Sequence, residues 1–520
     1  MFQEELWNDW VQQELSNYKV IRGKKVYLKK GYMHFDNRFW FPERNEEIKK
    51  IIQNGLRIYR KESKRMEKWS FTPFLKILIK TPRYKYQEEQ EKHDLETKIR
   101  PISFASHIDA LIYSYYSYSL TKIYEKYIKR NRFDESILAY RSDLGKCNIQ
   151  FAKEVFREVE LKGECTAVCL DIKGYFDNID HVTLLEKWQK LVGGKLPDDQ
   201  FRIYKSLTRY NYVNKNSLVK KFKGKRVRNE KLHGNFLDLF TAKKDSEKFQ
   251  ILRDHKLIVT NDKPNINTNR FVGIPQGSPL SSLLSNIYLI DFDNEMYLKS
   301  MEENFIYRRY CDDIIIVCST NKSNEIRNYI IEKISNEPYL LTIQDKKVET
   351  IDFKYNSKKQ IRSFKRDKKR PNNIIKTNNL NETKFYKSLQ YLGFEFNGQN
   401  IYIRTSSLSR YFKKMRARII KTISMAYGSS GISHKIFLRQ IFERYSHLGE
   451  RNFIKYAINS SQEYYINGKG EKKEGMNSIA IKKQVSRHMS ILKNALQNKN
   501  EQRFLYKGKR RKVVIKKTIT

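Results

Sequence analysis

Three aspartates stand where a carboxylate could do chemistry. Asp171 ends an apolar run, and Asp312 and Asp313 lie in the middle of the apolar stretch 305–318, which reads as strand, tight turn, strand. Two ionised carboxylates side by side repel each other unless a cation offsets their charge. If these strands share a sheet, the three aspartates would hold two Mg²⁺ ions about 3.5–4 Å apart, as in-line phosphoryl transfer requires. An acidic turn without a ligand is the alternative, since Asp is common in turns.

The rest of the chain points to a polyanionic partner. It has 520 residues, with 103 Lys and Arg against 58 Asp and Glu, a net charge of +45. Such a surface repels itself unless nucleic acid or another polyanion is bound. Aromatic residues make up 13%, which excludes wholesale disorder. Five Cys without a C-x-x-C pair, no signal peptide and no apolar run of about 18 residues favour a cytoplasmic protein without a zinc site or a membrane span.

Hydrophobic periodicity predicts the elements that position these residues. Residues 96–345 read as alternating helix and strand. The predicted helices lie at 48–56, 279–290, 434–446 and 477–496, and a further one begins after residue 406. Buried segments are predicted at 74–79 and 166–171. An exposed basic loop is predicted at 354–376 and a basic tail at 503–520. Asp177 and Asp180 are expected to cap a helix that begins near His181. Cys165 and Cys169 share one strand face and are expected to pack in the core.

Four motifs in order carry a family resemblance. Along the chain they are Asp171-Ile-Lys-Gly-Tyr-Phe-Asp177, Gly273-Ile-Pro-Gln-Gly-Ser-Pro-Leu280, Tyr310-Cys-Asp-Asp313 and Leu389-Gln-Tyr-Leu-Gly-Phe394, which is the order of the family's motifs. With Arg100-Pro-Ile upstream, the chain resembles reverse transcriptases over about three fifths of its length. The resemblance implies an α+β right-hand polymerase with an RRM-like palm, an antiparallel sheet with helices. The expected domains are an N-terminal extension (1–95), fingers (96–165), a palm (166–405) and a helical thumb with a basic tail (406–520).

The resemblance also implies a role for each motif residue. Asp171, Asp312 and Asp313 would ligate two Mg²⁺ ions, or Mn²⁺ instead, with help from the Ile172 carbonyl. Phe176 stands where the family places a steric gate against ribonucleotides, although most Phe are simply core. Lys347 would protonate pyrophosphate as a general acid, and its neighbour Lys346 leaves that assignment open.

Further residues of the resemblance would contact the nucleotide or the nucleic acid. Lys98 and Arg100 would hold the triphosphate, although a lone Arg in so basic a chain is usually just surface. Gln276 and Gly277 would face the nucleotide and template, although Gln276 is equally a helix-start residue. Leu392 and Gly393 would form the primer grip. Arg410, Lys413, Lys414 and Arg416 would track the duplex backbone.

The segment 401–411 resembles bacterial defence-associated reverse transcriptases. This implies an antiphage enzyme that makes cDNA with a structured noncoding RNA as its template or scaffold. Its substrates would be dNTPs and its product a DNA duplex. A homo-oligomer is one assembly state that the resemblance allows. Residues 406–520 hold no Asp and six Glu, so no ribonuclease H centre is expected, and no Cys follows Cys318. A retron or group II intron enzyme and a non-catalytic RNA scaffold remain the alternatives. The segment 215–265 is expected to be an insertion that contacts RNA or another subunit.

Overall fold

The chain folds as a mixture of α-helices and β-sheets. A computed structural model describes residues 2–507 except 17, 22–23, 28–30, 61–62, 88–91, 223–225, 228–229, 232–244, 266–267, 367–385, 428–435 and 437. None of the helices in these ranges has the length and apolar character that crossing a bilayer requires.

The elements follow in three stretches. The first contains α1 (Glu4–Leu15), β1 (Tyr18–Ile21), β2 (Lys24–Tyr27), α2 (Phe41–Gln53), β3 (Arg57–Arg60), β4 (Arg65–Lys68), β5 (Phe74–Gln87), β6 (Lys92–Phe104), α3 (His107–Arg130) and α4 (Asn148–Lys162). The second contains β7 (Cys165–Asp171), α5 (His181–Val192), α6 (Asp198–Thr208), β8 (Asn211–Asn214), α7 (Lys215–Phe222), β9 (Arg226–Val227), β10 (Glu230–Lys231), α8 (Asp245–Asp254), β11 (Ile258–Thr260), α9 (Ser281–Tyr288) and α10 (Ile290–Glu302). The third contains β12 (Ile306–Tyr310), β13 (Asp313–Cys318), α11 (Ser323–Ser335), β14 (Glu349–Tyr355), β15 (Ile361–Lys365), β16 (Leu389–Tyr391), β17 (Phe394–Phe396), β18 (Ile401–Ile403), α12 (Thr405–Ala426), α13 (Leu438–Tyr445), α14 (Phe453–Ser461), β19 (Tyr464–Ile466), β20 (Lys472–Glu474), α15 (Ile479–Val485) and α16 (His488–Lys507).

A central antiparallel sheet has the strand order β12-β13-β7-β14-β15. Successive residues of its middle strands face two different cores. Val168 and Ile316 belong to the first core, which α3 and α9 complete, whereas Ala167 and Val317 belong to the second core, which α4 and α12 complete. Because both faces are covered, these strands read as continuous apolar runs in the sequence.

A second sheet, of order β11-β8-β5-β6, includes the long β5–β6 hairpin. The predicted buried segment 74–79 is the first part of β5, where Phe74 and Leu75 are buried but Leu78 and Ile79 are exposed. The expected domain boundary between residues 95 and 96 falls inside β6, which pairs with β5 on both sides of it. From the expected insertion, β11 pairs with β8 and thereby joins this sheet.

Some predicted elements are wrong in detail. The expected basic loop 354–376 begins instead as the β14–β15 hairpin, because Phe364 is buried and Arg366 pairs with Asp352, and its remainder from 367 lies outside the described residues. The helix expected at 279–290 ends at Tyr288, and α10 follows.

The C-terminal helices also depart from their predicted bounds. The helix expected at 477–496 is divided into α15 and α16, and the His488 ring hydrogen-bonds the Val485 carbonyl where α15 ends. The helix expected at 434–446 is described as α13, and most of the basic tail lies outside the described residues. The helix after 406 is confirmed: Tyr411, Met415 and Ile419 of α12 are buried.

A buried ion pair supports the turn between β12 and β13. Arg309 is fully buried, and its Nε donates to Asp293 Oδ1 at 2.7 Å while its Nη2 donates to Oδ2 at 2.5 Å. The same guanidinium donates to the Cys311 carbonyl at 3.0 Å, and Tyr307 Oη donates to Asp293 at 2.7 Å. The pair therefore fixes the backbone directly before Asp312.

Replacing Arg309 with Met leaves the Asp293 carboxylate buried without a cation. We expect the free energy of unfolding to fall by about 3–5 kcal/mol. The double variant Arg309→Met, Asp293→Leu should regain most of this loss, because replacing both members of a buried pair with apolar residues is often neutral. Urea denaturation followed by circular dichroism measures all three chains. A double variant as unstable as the single one would contradict the pairing argument.

Candidate active site

The register of the central sheet brings two of the predicted aspartates face to face. Asp313 begins β13 and lies directly opposite Asp171, the last residue of β7. Asp312 lies in the turn that the Tyr310–Asp313 pair closes, and Cys311 adopts a left-handed φ of 59° there. The Ile172 amide donates to the Asp312 carbonyl at 3.0 Å, which ties the end of β7 to this turn.

The carboxylates lie close enough to repel one another. Burial, together with the charges of Asp312 and Asp171, raises the pKa of Asp313 to about 6, against the opposing charges of Lys347 and Arg404. The stabilisation of the ionised form of Asp313 by these two cations is therefore outweighed. Negative charge at this end of the sheet is undercompensated, which favours cation binding.

Lys347 forms an ion pair with Asp171. Its Nζ is 2.5 Å from Asp171 Oδ1, and both side chains are partly exposed. Lys347 ends a short 3-10 helix, Asp345–Lys347, which is anchored by the Gln344 amide donating to the Asp171 carbonyl at 2.9 Å. The structure thus brings the predicted general acid to the aspartates.

The donor set suits a hard divalent cation, because carboxylate and carbonyl oxygens are the ligands that such ions prefer. In the ranges that the structure describes, no three His, Cys, Asp or Glu side chains already converge as a metal-binding group. Asp171 is engaged by Lys347 instead. Metal binding at Asp171 Oδ1 therefore competes with this ion pair.

Phe176 is joined to the glycine-rich motif. It lies in a 3-10 helix, Tyr175–Asp177, is half-buried, and accepts a hydrogen bond at its carbonyl from the Ile274 amide at 2.9 Å. Gly273 has a φ of 97°, and a Cβ there would lie 3.2 Å from the Asp177 carbonyl oxygen. The N-cap of the next helix is Asp180, whose Oδ1 accepts from the Thr183 amide at 2.9 Å, so the expectation that Asp177 also caps this helix is wrong.

Gln276 and Gly277 contact β6. The Gln276 carbonyl accepts from the Ser103 amide at 2.8 Å, and a Cβ on Gly277 would lie 3.0 Å from the Ser103 carbonyl oxygen. The absence of a side chain at Gly277 thus permits close approach of β6. Arg100, which is exposed, and Lys98, which is partly exposed, lie further along the same strand.

Leu392 and Gly393 form the turn between β16 and β17, with φ values of 44° and 92°. Asn148 Nδ2 donates to the Leu392 carbonyl at 3.0 Å, and the Arg404 amide donates to the Gly393 carbonyl at 2.9 Å. This turn is thereby fixed to α4 and to the start of α12. On α12 itself, the four predicted basic residues are all exposed: Arg410, Lys413, Lys414 and Arg416.

Two residues without a predicted role also lie at the site. Arg404 acts electrostatically on Asp313, and Tyr140 Oη donates to Cys311 Sγ at 3.3 Å. Tyr140 belongs to Ala139-Tyr-Arg141, which follows Arg100 at a spacing similar to that of reverse transcriptases, so this resemblance could have identified Tyr140 as a site residue. Arg141 itself is buried against Glu125 and away from solvent. No pattern separates Arg404 from the other basic residues of the chain.

Comparisons with known proteins identify one domain. A protein-family model described as reverse transcriptase (RNA-dependent DNA polymerase) matches residues 233–396. The match includes Asp312 and Asp313 but neither Phe176 nor Asp171, although the fold brings Asp171 opposite Asp313. A search of curated proteins finds no relative.

Among solved structures, three telomerases are similar at low identity. The apo telomerase of Candida tropicalis truncated from its C-terminal domain has 10% identity and a TM-score of 0.37 over 71% of this chain and 61% of that one. The apo telomerase of Candida tropicalis has 12% identity and a TM-score of 0.33, with 92% and 67% covered. The Candida albicans telomerase in complex with a TWJ fragment of telomeric RNA has 12% identity and a TM-score of 0.32, with 94% and 72% covered.

This chain spans about three fifths of the length of the truncated telomerase. Similarity at these TM-scores carries no argument about function, so the assignment depends on the family match. By that match, the chain contains a reverse transcriptase domain, the domain of an RNA-directed DNA polymerase.

Proposed function

We propose that this chain copies RNA into DNA by metal-assisted nucleotidyl transfer at Asp171, Asp312 and Asp313. The observation that carries the proposal is the pairing of β7 with β13, which opposes Asp171 and Asp313 beside a turn that holds Asp312. The reverse transcriptase domain match supports it. A buried, crowded carboxylate is costly in a protein that binds no cation.

The proposed architecture is a right hand. The central sheet with α9, α10 and α11 would be the palm, the β5–β6 hairpin with α3 would belong to the fingers, and α12 onward would be the thumb. The contact between Gln276 and Ser103 would then join palm and fingers beside the incoming nucleotide. The exposed basic face of α12 would follow the duplex of template and product, because its charges match the phosphate backbone.

Reverse transcriptase domains generally use divalent metal ions. Bound to the three carboxylates, two Mg²⁺ ions, or Mn²⁺ instead, would activate a primer 3′-hydroxyl and stabilise the leaving pyrophosphate. Lys347, released from Asp171, would supply a proton to pyrophosphate. Phe176 would lie under the sugar and exclude a 2′-hydroxyl, while Lys98 and Arg100 would hold the triphosphate.

The proposed biological role is antiphage defence. The segment 401–411 resembles bacterial defence-associated enzymes, so we propose a cytoplasmic antiphage role with a structured noncoding RNA as template or scaffold. The net charge of +45 supports an RNA partner. Identification of the RNA that co-purifies with the chain from its native host tests this proposal, and recovery of only random RNA fragments would argue against it.

Asp313→Asn should abolish DNA synthesis without loss of the fold. We expect incorporation of dNTPs on a primed RNA template to fall by about 100-fold or more, because several kcal/mol of charge stabilisation is lost. RNA affinity should change less than about twofold, since no phosphate contact is removed. Asp254→Asn, at an exposed helix end, is the matched control. Equal activity of the two variants would refute the proposed site, and absent activity in the wild type with intact RNA binding would favour a scaffold.

Phe176→Val should relax sugar discrimination. The smaller side chain leaves room for a 2′-hydroxyl, so we expect the preference for dCTP over CTP in kcat/KM to fall by about 10- to 200-fold. Phe176→Tyr retains the ring and should keep the preference. Single-nucleotide extension on one primed RNA template measures both ratios. An unchanged preference in the Val variant would make Phe176 a packing residue.

Lys347→Met should separate metal binding from turnover. Loss of the ammonium frees the Asp171 carboxylate, so the half-saturating Mg²⁺ concentration should fall, while kcat should fall by about 100-fold or more through loss of the general acid. Lys347→Arg keeps the charge and should leave the Mg²⁺ requirement near that of the wild type. Rates across a Mg²⁺ titration give both quantities. A Met variant that needs more Mg²⁺ than the wild type would contradict the competition between Lys347 and the metal.

A further inference from the structure

A cavity of about 450 Å³ lies apart from the aspartates, between the β3–β4 hairpin and α6. Its volume falls in the range of about 300–1,000 Å³ that is usual for ligand pockets. The described walls carry four cationic side chains and no acidic one; the cations are Lys68, Arg202, Lys205 and Arg209. The proposed polymerase chemistry uses none of these residues.

Ion pairs do not neutralise the positive charge around this pocket, although Lys205 and Arg209 lie over the rings of Phe201 and Phe271. Within the described residues, none of its four cations forms an ion pair, and Lys68 lies directly across the strand pair from another cation, Arg57. Like charges in that position destabilise a strand pair. Burial and the charge of Arg57 hold the pKa of Arg202 below its usual range, against the weaker opposing effects of Tyr116, Asp198 and Asp199. An anion in the pocket would relieve this repulsion.

Arg202 is held in place although it has no counter-ion. Its guanidinium donates to the carbonyls of Gly55 at 3.2 Å and Trp69 at 3.0 Å, and to that of Leu56. These carbonyls fix the direction of the side chain without neutralising it. A fixed cation binds an anion at a low entropic cost, because less side-chain freedom is lost on binding.

Aromatic rings form the other part of the wall, and their neighbours hold them. Trp69 Nε1 donates to Asp109 at 2.8 Å, and the half-buried Phe71 stacks on Tyr113 with ring centroids 5.2 Å apart. Tyr210 also lines the pocket, and its ring packs edge-on against that of Phe74 at 5.5 Å. Aromatic rings beside cationic side chains form the kind of surface on which unpaired nucleobases stack while their phosphates are neutralised.

We propose that this pocket binds a nucleotide of a single-stranded nucleic acid, with the base against the Trp69 and Phe71 rings and the flanking phosphates on the cations. A strand suits the pocket better than a free nucleotide because the cations are spread over separate parts of the fold: Lys68 lies on β4, Arg202 and Lys205 lie on α6, and Arg209 follows that helix directly. The pocket is also connected to the candidate active site. The Asn261 side chain donates to the carbonyls of both Thr208, at the end of α6, and Gly273.

The test is equilibrium binding of a fluorescein-labelled twelve-nucleotide oligouridylate to the full chain, without dNTPs. Lys205→Ala with Arg209→Ala removes two exposed cations of the pocket, and Lys126→Ala with Arg130→Ala removes two exposed cations of α3 as a charge-matched control. We expect about tenfold weaker binding for the pocket variant and less than about twofold for the control. The slope of log affinity against log salt should fall by about 0.7 for each lost phosphate contact, about 1.4 in total.

A second variant separates stacking from charge. Phe71→Ala should weaken binding by about fivefold or more through lost stacking and should leave the salt slope unchanged. Equal weakening by the pocket and control pairs would overturn the proposal, since bulk charge would explain it. Saturation by free uridine monophosphate that the oligonucleotide cannot displace would overturn it in favour of a free nucleotide. Repeating the measurement in the Asp313→Asn chain keeps the result independent of the proposed polymerase activity.

Discussion

Mutual repulsion between the carboxylates of Asp171 and Asp313 is the constraint on which the candidate active site depends. The two residues are cross-strand partners, so the sheet itself holds like charges together. A sheet can do this only if its register cannot slip, since a shift by one residue turns every side chain to the other face. Here β7 and β13 bury different side chains in a core on each face, and a slip would exchange the two sets. The stability of both cores therefore maintains the unfavourable contact.

The predictable parts of the site are those that depend on local pattern. Apolar runs that end in Asp171 and surround Asp312 and Asp313 gave the strands and the turn, because burial on both faces leaves a continuous signal. Leu392 and Gly393 are expected as the primer grip only through family resemblance, and they form the turn between β16 and β17. The Lys347 side chain was expected near the aspartates only through family resemblance, and its ion pair with Asp171 depends on a loop path that no periodicity encodes.

Long-range contacts made by ordinary residues were not predictable. Arg309 lies in β12, a strand of mixed composition, and its burial depends on its ion pair with Asp293 of α10. Arg366 belongs to a run of basic residues that suggested an exposed loop, yet Asp352 neutralises it in the interior. In both cases a charged residue is buried because of a partner distant in sequence. A prediction from composition does not identify such partners and therefore places charged residues on the surface.

The position of β7 between β13 and β14 bears on which part of the chain can fold alone. The segment that matches the reverse transcriptase family model begins at residue 233 and therefore does not include β7. Excised by itself, it would lack the strand that joins the β12–β13 hairpin to the β14–β15 hairpin, and two apolar strand edges would lie open to pairing with other molecules. We therefore expect the matched segment not to fold alone, because its solubility depends on β7, which comes earlier in the chain.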